Sequence, residues 1–345
     1  MKVLHLLQSD RFSGAENVVC QIINLLSDEN IEFVYCSRDG QIRESLEEKK
    51  IKYNFVKNFT LSEIKRVIEE EKPDVIHAHD MRASFYAALC CKNITLISHI
   101  HNNNFDSRKL SLKAILYYFA AKKSKHIFWV SKSSFNGYFF HNKFKEKSEV
   151  LYNIIDINKL RKQVILDNNI YKYDIVYIGR LTYQKNPQRL LEICKKICEK
   201  RTNTKIGIIG TGDMFNDVID FINSNKNLNI IYLGFMNNPY KVLYNSKVMI
   251  MSSRWEGTPM VALESMALGV PIVSTPVDGL QDIIINDYNG YLTNDDEKFV
   301  SYVLDILNDN NKYKKLSQNS SIFITEYMNT KKYKESVLKW YRKDS

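Results

Sequence analysis

Two glutamates stand eight positions apart in the segment Glu256-Gly-Thr-Pro-Met-Val-Ala-Leu-Glu264. An apolar, strand-like run, Lys247-Val-Met-Ile-Met251, comes just before them. A Gly-Thr-Pro turn follows the first glutamate, and a helical run over 260–268 carries the second. Backbone N–H groups at a helix start lack partners and carry partial positive charge, which suits a phosphate. Glu264, about one turn into the helix, can reach a hydroxylated group beside that phosphate, while Glu256 stays in the loop. This arrangement suits a sugar nucleotide: Glu264 on ribose hydroxyls, the amides on the diphosphate, Glu256 on sugar hydroxyls. Spacing alone describes a solvated loop glutamate and a surface helix glutamate just as well, so the companion residues decide.

A strand-like run over 174–178 leads into Gly179-Arg180-Leu181-Thr-Tyr-Gln-Lys185-Asn186-Pro187. Glycine at the strand end lets the chain turn sharply. Arg180 and Lys185, five residues apart, can clamp a diphosphate and hold the charge that grows as it leaves. Taken alone, they also read as two surface cations. Ile209-Gly210-Thr211-Gly212-Asp213 is a second strand–glycine–helix junction and reads first as a tight turn. Near the start, Ser13-Gly14-Ala15-Glu16 opens a helix, and Gly14 permits close approach of backbone to a ligand. G-x-G-x-x-G is absent, which argues against NAD.

A strand over 95–100 runs on into His101-Asn102-Asn103-Asn104, and alternation puts His99 and His101 on one side of it. His101, nearer the loop, suits a sugar or acceptor contact; a core histidine is the alternative. His77 and His79 end another strand and read as structural, with Asp80 beside them. No H-E-x-x-H and no Asp-x-Asp occurs, so no metal is expected. No G-x-x-x-x-G-K-[ST] occurs, which argues against a P-loop NTPase.

The elements that must position these residues alternate between strand and helix. In the first half, strands are expected over 3–7, 32–36, 52–56, 74–78, 95–100, 126–130 and 149–152. In the second, they are expected over 174–178, 205–209, 229–233, 248–251 and 271–274. This is an α/β pattern of two doubly wound, parallel, Rossmann-like sheets, whose ligands bind beyond the carboxyl ends of the strands. The 345 residues suit two domains. We expect an N-terminal domain over 1–165, a C-terminal domain over 166–326, and a terminal helix over 327–345 packing on either one.

A hydrophobic content of 44% suits a globular chain with full cores. No run of eighteen apolar residues occurs, and the first residues go straight into a strand pattern, so a cytoplasmic protein is expected. The six cysteines form no C-x-x-C and read as buried reduced thiols. The net charge of +10 is uneven: residues 107–145 hold nine Lys and Arg and no Asp or Glu. Tyr117, Tyr118, Phe119, Phe135, Tyr138, Phe139 and Phe140 interleave with them. This reads as a solvated basic face with aromatics turned inward, or as a surface for anionic lipid. No nucleic-acid motif accompanies it, and no nucleic-acid partner is expected.

Together the pieces resemble the retaining glycosyltransferases of group 1 (family 4), which have the GT-B fold. The resemblance covers nearly the whole chain. The segment from Ser252 to Ser274 resembles the family's E-x7-E motif with its following strand, and Gly179-Arg180-Leu181-x-x-x-Lys185 its phosphate-clamping motif. Asp74-Val-Ile-His-Ala-His-Asp80 and the His101-Asn-Asn region resemble members that build bacterial capsule or exopolysaccharide. The resemblance implies two Rossmann-like domains facing a central cleft, with the terminal helix crossing back to the first domain. It implies catalysis by Glu256, Arg180, Lys185 and His101. Donor contacts would come from Gly14, Arg180, Lys185, Gly257, Thr258, Met260, Val261 and Glu264, and acceptor contacts from Asn102 and Asn103. Ser13 departs from the pattern, because many members have a glycine there. The implied partners are a nucleotide diphosphate sugar, UDP-linked first, and a glycan or lipid-linked acceptor. Peripheral contact with the anionic inner face of the plasma membrane would accompany them, with no cofactor. A sugar-nucleotide epimerase of the same shape and a non-catalytic partner subunit are the alternatives.

Overall fold

The computed structural model describes residues 1–101 and 105–342. Asn102 and Asn103 lie outside the described residues. The chain divides into two compact units: Met1–Ile154 with Asn329–Ser345, and Ile155–Met328. The first boundary falls ahead of the expected 165. The residues at the expected boundary form an amphipathic helix, Ile157–Leu166. The Asp156 carboxylate caps it by accepting from the Lys159 amide at 2.9 Å, and Leu160 and Val164 are buried.

Unit 1 carries β1 (Lys2–Leu6), β2 (Glu32–Cys36), β3 (Val75–His79), β4 (Thr95–Ile100), β5 (His126–Trp129) and β6 (Ser148–Val150). They form one parallel sheet in the order β2-β1-β3-β4-β5-β6. Residues 52–56, expected as a strand, make only isolated bridges, Tyr35 to Tyr53 and Arg38 to Val56. Asn54 and Phe55, between those bridges, form no continuous ladder. The terminal helix Thr330–Tyr341 belongs to unit 1, where Trp340 stacks on His126 with ring centroids 3.8 Å apart.

Unit 2 carries β7 (Ile175–Ile178), β8 (Ile206–Ile209), β9 (Ile230–Tyr232), β10 (Val248–Met251), β11 (Ile272–Ser274) and β12 (Gly290–Leu292). Its parallel order is β12-β11-β10-β7-β8-β9. Strands covered on both faces read as continuous apolar runs, and all four residues of β10 are buried. In each sheet the chain starts at an inner strand, grows toward one edge, then returns to grow toward the other. The reversal lies between β1 and β3 in unit 1, and between β7 and β10 in unit 2. Loops after strands at such a switch point splay apart and leave room for a ligand.

Candidate functional site

In unit 2 the loops after β7 and β10 meet at the switch point. The Arg254 amide donates to the Gln184 carbonyl at 2.8 Å, and the Gln184 side chain donates to the Trp255 carbonyl at 2.9 Å. Arg254 also lies over the Tyr183 ring, 4.2 Å from its centroid. Asn186 takes a left-handed φ of +55° and hands the chain to the helix Pro187–Lys200, which has proline in its first turn.

This lacing buries a charge pair. Lys185 Nζ donates to Glu256 Oε1 at 2.5 Å, and Ser253 Oγ donates to the same oxygen at 2.6 Å. Lys185 is 9% exposed and Glu256 5%. Ser252 Oγ donates to the carbonyls of Lys185 and Asn186, both at 3.0 Å, and so fixes the β7 loop beneath the pair. Buried charges are costly unless paired and hydrogen-bonded. This pair has both, with Glu256 oxygen capacity left for further donors. Arg180 is exposed and donates to Gln184 Oε1 at 3.2 Å. Lys185 and Glu256 are thus brought into contact, and Arg180 stands on the same loop as Lys185.

The helix Met260–Ala267 begins after Pro259, which provides no side-chain cap. Its first-turn amides, those of Met260 and Val261 among them, are therefore not claimed by a capping side chain. Gly257 lies in the turn before it, where a side chain on Gly279 would strike the Gly257 carbonyl. Glycine at 279 therefore sets how closely the two segments approach. Glu264, one turn into the helix, accepts from Tyr240 Oη at 3.1 Å. Burial pushes its carboxyl up to about 7, against the Tyr240 hydrogen bond, which pulls it down. Tyr240 and Ser253 were not singled out by sequence reasoning. Ser253 sits inside the matched motif, but nothing in the sequence signals Tyr240. The glycines at 210 and 212 act as the turn reading proposes: a side chain on either would strike the backbone of Gly179 or Leu181.

In unit 1 the helix Gly14–Leu25 starts at the switch point. Ser13 does not cap it; its hydroxyl donates to Glu16 Oε2 at 2.5 Å, and Gly14 is exposed at the first helical position. A cavity of ≈ 310 Å³ opens beside it, lined among others by Glu16, Arg38, His79, Asp80 and Arg82. Asp80 follows β3 with φ +69°, a backbone state that costs a non-glycine residue about 1–3 kcal/mol. Its Oδ1 accepts from the His101 amide at 2.9 Å, which pins the end of β4.

His101 is one of six histidines gathered on one face of this sheet. Register places His5 opposite His77, and His79 opposite His99. His101 Nε2 lies 2.8 Å from His79 Nδ1, and His79 Nε2 lies 3.0 Å from His5 Nδ1. Burial lowers the pKa of His5 and His101 to about 3, and drives those of His77, His79 and His99 well below the usual value. His79, His99 and His101 have ring nitrogens within 4.8 Å of one another. So do His5, His77 and His79, and the rings of His79, His99 and His101 lie at interplanar angles of 23–31° to one another.

The basic segment divides between core and surface. Tyr117 and Tyr138 are buried, at 1% and 0% exposure. Leu110, Leu112, Ile115, Phe119 and Phe139 are exposed, alongside Lys109, Lys122 and Lys123. Among the described residues, no helix is long and apolar enough to cross a membrane.

The chain is 31% identical over 254 residues to an uncharacterized glycosyltransferase of Methanocaldococcus jannaschii, covering 66% of this chain and 61% of the relative's length. It is 24% identical over 353 residues to the UDP-Gal:alpha-D-GlcNAc-diphosphoundecaprenol alpha-1,3-galactosyltransferase of Escherichia coli, covering 90% and 88%. The solved structure of Anabaena HepE in complex with UDP-glucose superposes with a TM-score of 0.82 at 18% identity, covering 98% of each chain, a likeness of fold. The family model for Glycosyltransferase Family 4 matches residues 12–159, and that for Glycosyl transferases group 1 matches residues 157–322. With two parallel Rossmann-like sheets and both glutamates of the motif in place, the chain belongs to the group 1 (family 4) glycosyltransferases of the GT-B fold.

Proposed function

We propose that this chain transfers a hexosyl unit, with retention of anomeric configuration, from a nucleotide diphosphate sugar to a hydroxyl of a lipid-linked glycan. A UDP-sugar is the first choice of donor, and cell-surface polysaccharide synthesis the setting. The observation that carries the reading is the Lys185–Glu256 pair at the β7/β10 switch point, two residues before the uncapped turn that leads into the helix Met260–Ala267. An arriving diphosphate competes for Lys185 and takes the amides of Met260 and Val261. The sugar's hydroxyls then donate to the Glu256 oxygens that Lys185 gives up. The ribose hydroxyls donate to Glu264.

In the transfer step the acceptor hydroxyl oxygen forms a bond to the anomeric carbon on the face from which the diphosphate departs. The bond from that carbon to the diphosphate oxygen breaks, and the leaving oxygen takes the acceptor proton. Arg180, Lys185 and the helix amides stabilise the growing charge without a metal ion. Gly257 and Thr258 line the donor, and Gly14 approaches a phosphate. His101 takes a hydroxyl of the sugar. The exposed apolar and basic residues from Leu110 to Phe139 rest on the anionic leaflet that holds the acceptor.

Glu256→Gln keeps an acceptor for Lys185 and Ser253 but removes the charge. Transfer from the preferred donor should fall by about 10²–10³-fold in protein that remains folded at the assay temperature, although the buried Lys185 loses its counter-charge and unit 2 loses stability. The donor is chosen by thermal shift with UDP, GDP, ADP and CDP, with and without EDTA. Full turnover by Glu256→Gln, or a nucleotide shift abolished by EDTA, sinks the respective part of the reading.

A further inference from the structure

The histidine array in unit 1 includes a continuous chain of polar contacts that ends at His101. Starting at the far end, Tyr341 Oη lies 2.6 Å from His77 Nδ1 and 3.5 Å from His5 Nε2. The chain then runs from His5 Nδ1 to His79 Nε2 at 3.0 Å, and from His79 Nδ1 to His101 Nε2 at 2.8 Å. His101 Nδ1 is buried and, among the described residues, has no hydrogen-bond partner. Tyr341 closes the terminal helix and is 2% exposed.

A neutral imidazole carries one N–H and one bare nitrogen. Burial keeps these rings neutral. His79 uses both nitrogens, so its tautomer dictates those of His5 and His101. Only two senses of the chain are therefore open, and the end at Tyr341 chooses between them. A separation of 2.6 Å is shorter than the usual N–H···O range and suits an O–H donor, so the Tyr341 hydroxyl donates to His77 Nδ1. Tyr341 then turns only lone pairs toward His5. A bare His5 Nε2 facing them at 3.5 Å would be repelled, so His5 carries its proton there. His79 must then donate from Nε2 and accept at Nδ1, and His101 must donate from Nε2. The same assignment leaves the His77 Nε2–H without a partner, consistent with its unpaired state among the described residues.

We propose that Tyr341, acting through His5 and His79, fixes the tautomer of His101 so that its Nδ1 is a bare hydrogen-bond acceptor for a hydroxyl of the transferred sugar. Tyr341, His5 and His79 are positioning residues, and their place in the reaction rests on the reading of His101 given above. The terminal helix thereby contributes to the chemistry of a residue with which it shares no direct hydrogen bond. The asymmetry lies in a single hydroxyl: phenylalanine at 341 keeps the ring and its packing but removes the donor that sets the sense of the chain.

The test is nitrogen-15 NMR of the full chain with labelled histidine, resonances assigned by single substitutions. In the wild type, His101 should show a bare Nδ1 and a protonated Nε2. Tyr341→Phe should mix or reverse these populations at His101, although two rings lie between. A wild-type His101 protonated at Nδ1, or an unchanged His101 tautomer in Tyr341→Phe, overturns the proposal. If Tyr341→Phe does not fold, His5→Asn breaks the chain at its next link and is judged by the same two outcomes. Transfer kinetics separate the two readings. With tautomers mixed, half or fewer of the molecules present the bare acceptor at any moment, so kcat/KM for the donor should fall about twofold or more. A changed tautomer with unchanged kcat/KM keeps the relay and removes His101 from the reaction.

Discussion

Lowering the pH should unfold one half of this chain while strengthening the other. All seven histidines lie within residues 1–154, and none lies in 155–328. His5, His77, His79 and His99 are 0–2% exposed, and burial depresses all four pKa values. In the unfolded chain each titrates near 6.5, so below that pH the unfolded state binds more protons than the folded one. The stability is therefore present above about 6.5 and is lost as pH falls toward the folded values, about 3 for His5. At pH 5.5, one unit below the unfolded pKa, each histidine forfeits about 1.4 kcal/mol, and four forfeit about 6 kcal/mol. A domain holds about 5–15 kcal/mol in all, so unit 1 should be close to its unfolding midpoint.

Glu264 has the opposite sign. Its folded pKa is raised to about 7, so the folded state binds the extra proton between the unfolded carboxyl value and 7. Moving from pH 7.5 to 5.5 adds at most about 2 kcal/mol to unit 2, because Glu264 keeps some contact with water. Tryptophan reports on each half: Trp129 and Trp340 in unit 1, Trp255 in unit 2. Urea melts of Trp255→Phe and of Trp129→Phe/Trp340→Phe, each at both pH values, follow the halves separately. With a urea slope of about 2 kcal/mol/M, the unit 1 midpoint should drop by about 3 M. The unit 2 midpoint should hold or rise. His99, both of whose ring nitrogens lack partners among the described residues, provides the control. His99→Phe should remove about a quarter of the slope without loss at pH 7.5. A unit 1 midpoint that stays put at pH 5.5, or one coincident transition at both pH values, refutes the reasoning.

The Lys185–Glu256 pair should couple strongly: Lys185→Met alone strands a buried carboxylate and costs unit 2 about 3–5 kcal/mol, while Lys185→Met/Glu256→Leu recovers most of it by chemical denaturation. Nucleotide affinity should weaken as pH falls through about 7, up to about tenfold per unit, because ribose hydroxyls favour the ionised Glu264. Calorimetry on Glu264→Gln should show that component gone and leave only the titration of the phosphate. Cosedimentation with phosphatidylglycerol vesicles should weaken about fivefold for Lys122→Gln, and for Phe119→Ser by more. Neutral vesicles that bind equally well would remove the electrostatic part of that docking.

The parts legible in the sequence were those carried by local pattern. Apolar runs such as Val248–Met251 gave the parallel strands, and the glycine and proline around Glu256 gave the loop and the helix start. Residues 52–56 misled because Tyr53, Phe55 and Val56 have strand chemistry, yet Tyr53 and Phe55 stack on each other with centroids 4.4 Å apart instead of extending the sheet. The helix Ile157–Leu166 is not among the expected elements, because its polar face outweighs the buried Leu160 and Val164 in the local pattern. What could not be read was the set of partners. Nothing local to Glu264 points to Tyr240, which lies 24 positions away, or from Lys185 to Glu256, which lies 71 away. The histidines show the difference most clearly. Single alternations in β3 and β4 placed His77 with His79 and His99 with His101 on common faces. Strand order brings the two pairs and His5 together, and the terminal helix adds Tyr341 to the buried array. A parallel sheet joins residues by register across crossovers, so its chemistry is written in the order of strands. In this chain that order puts a buried cation–carboxylate pair at one switch point and a neutral imidazole array at the other.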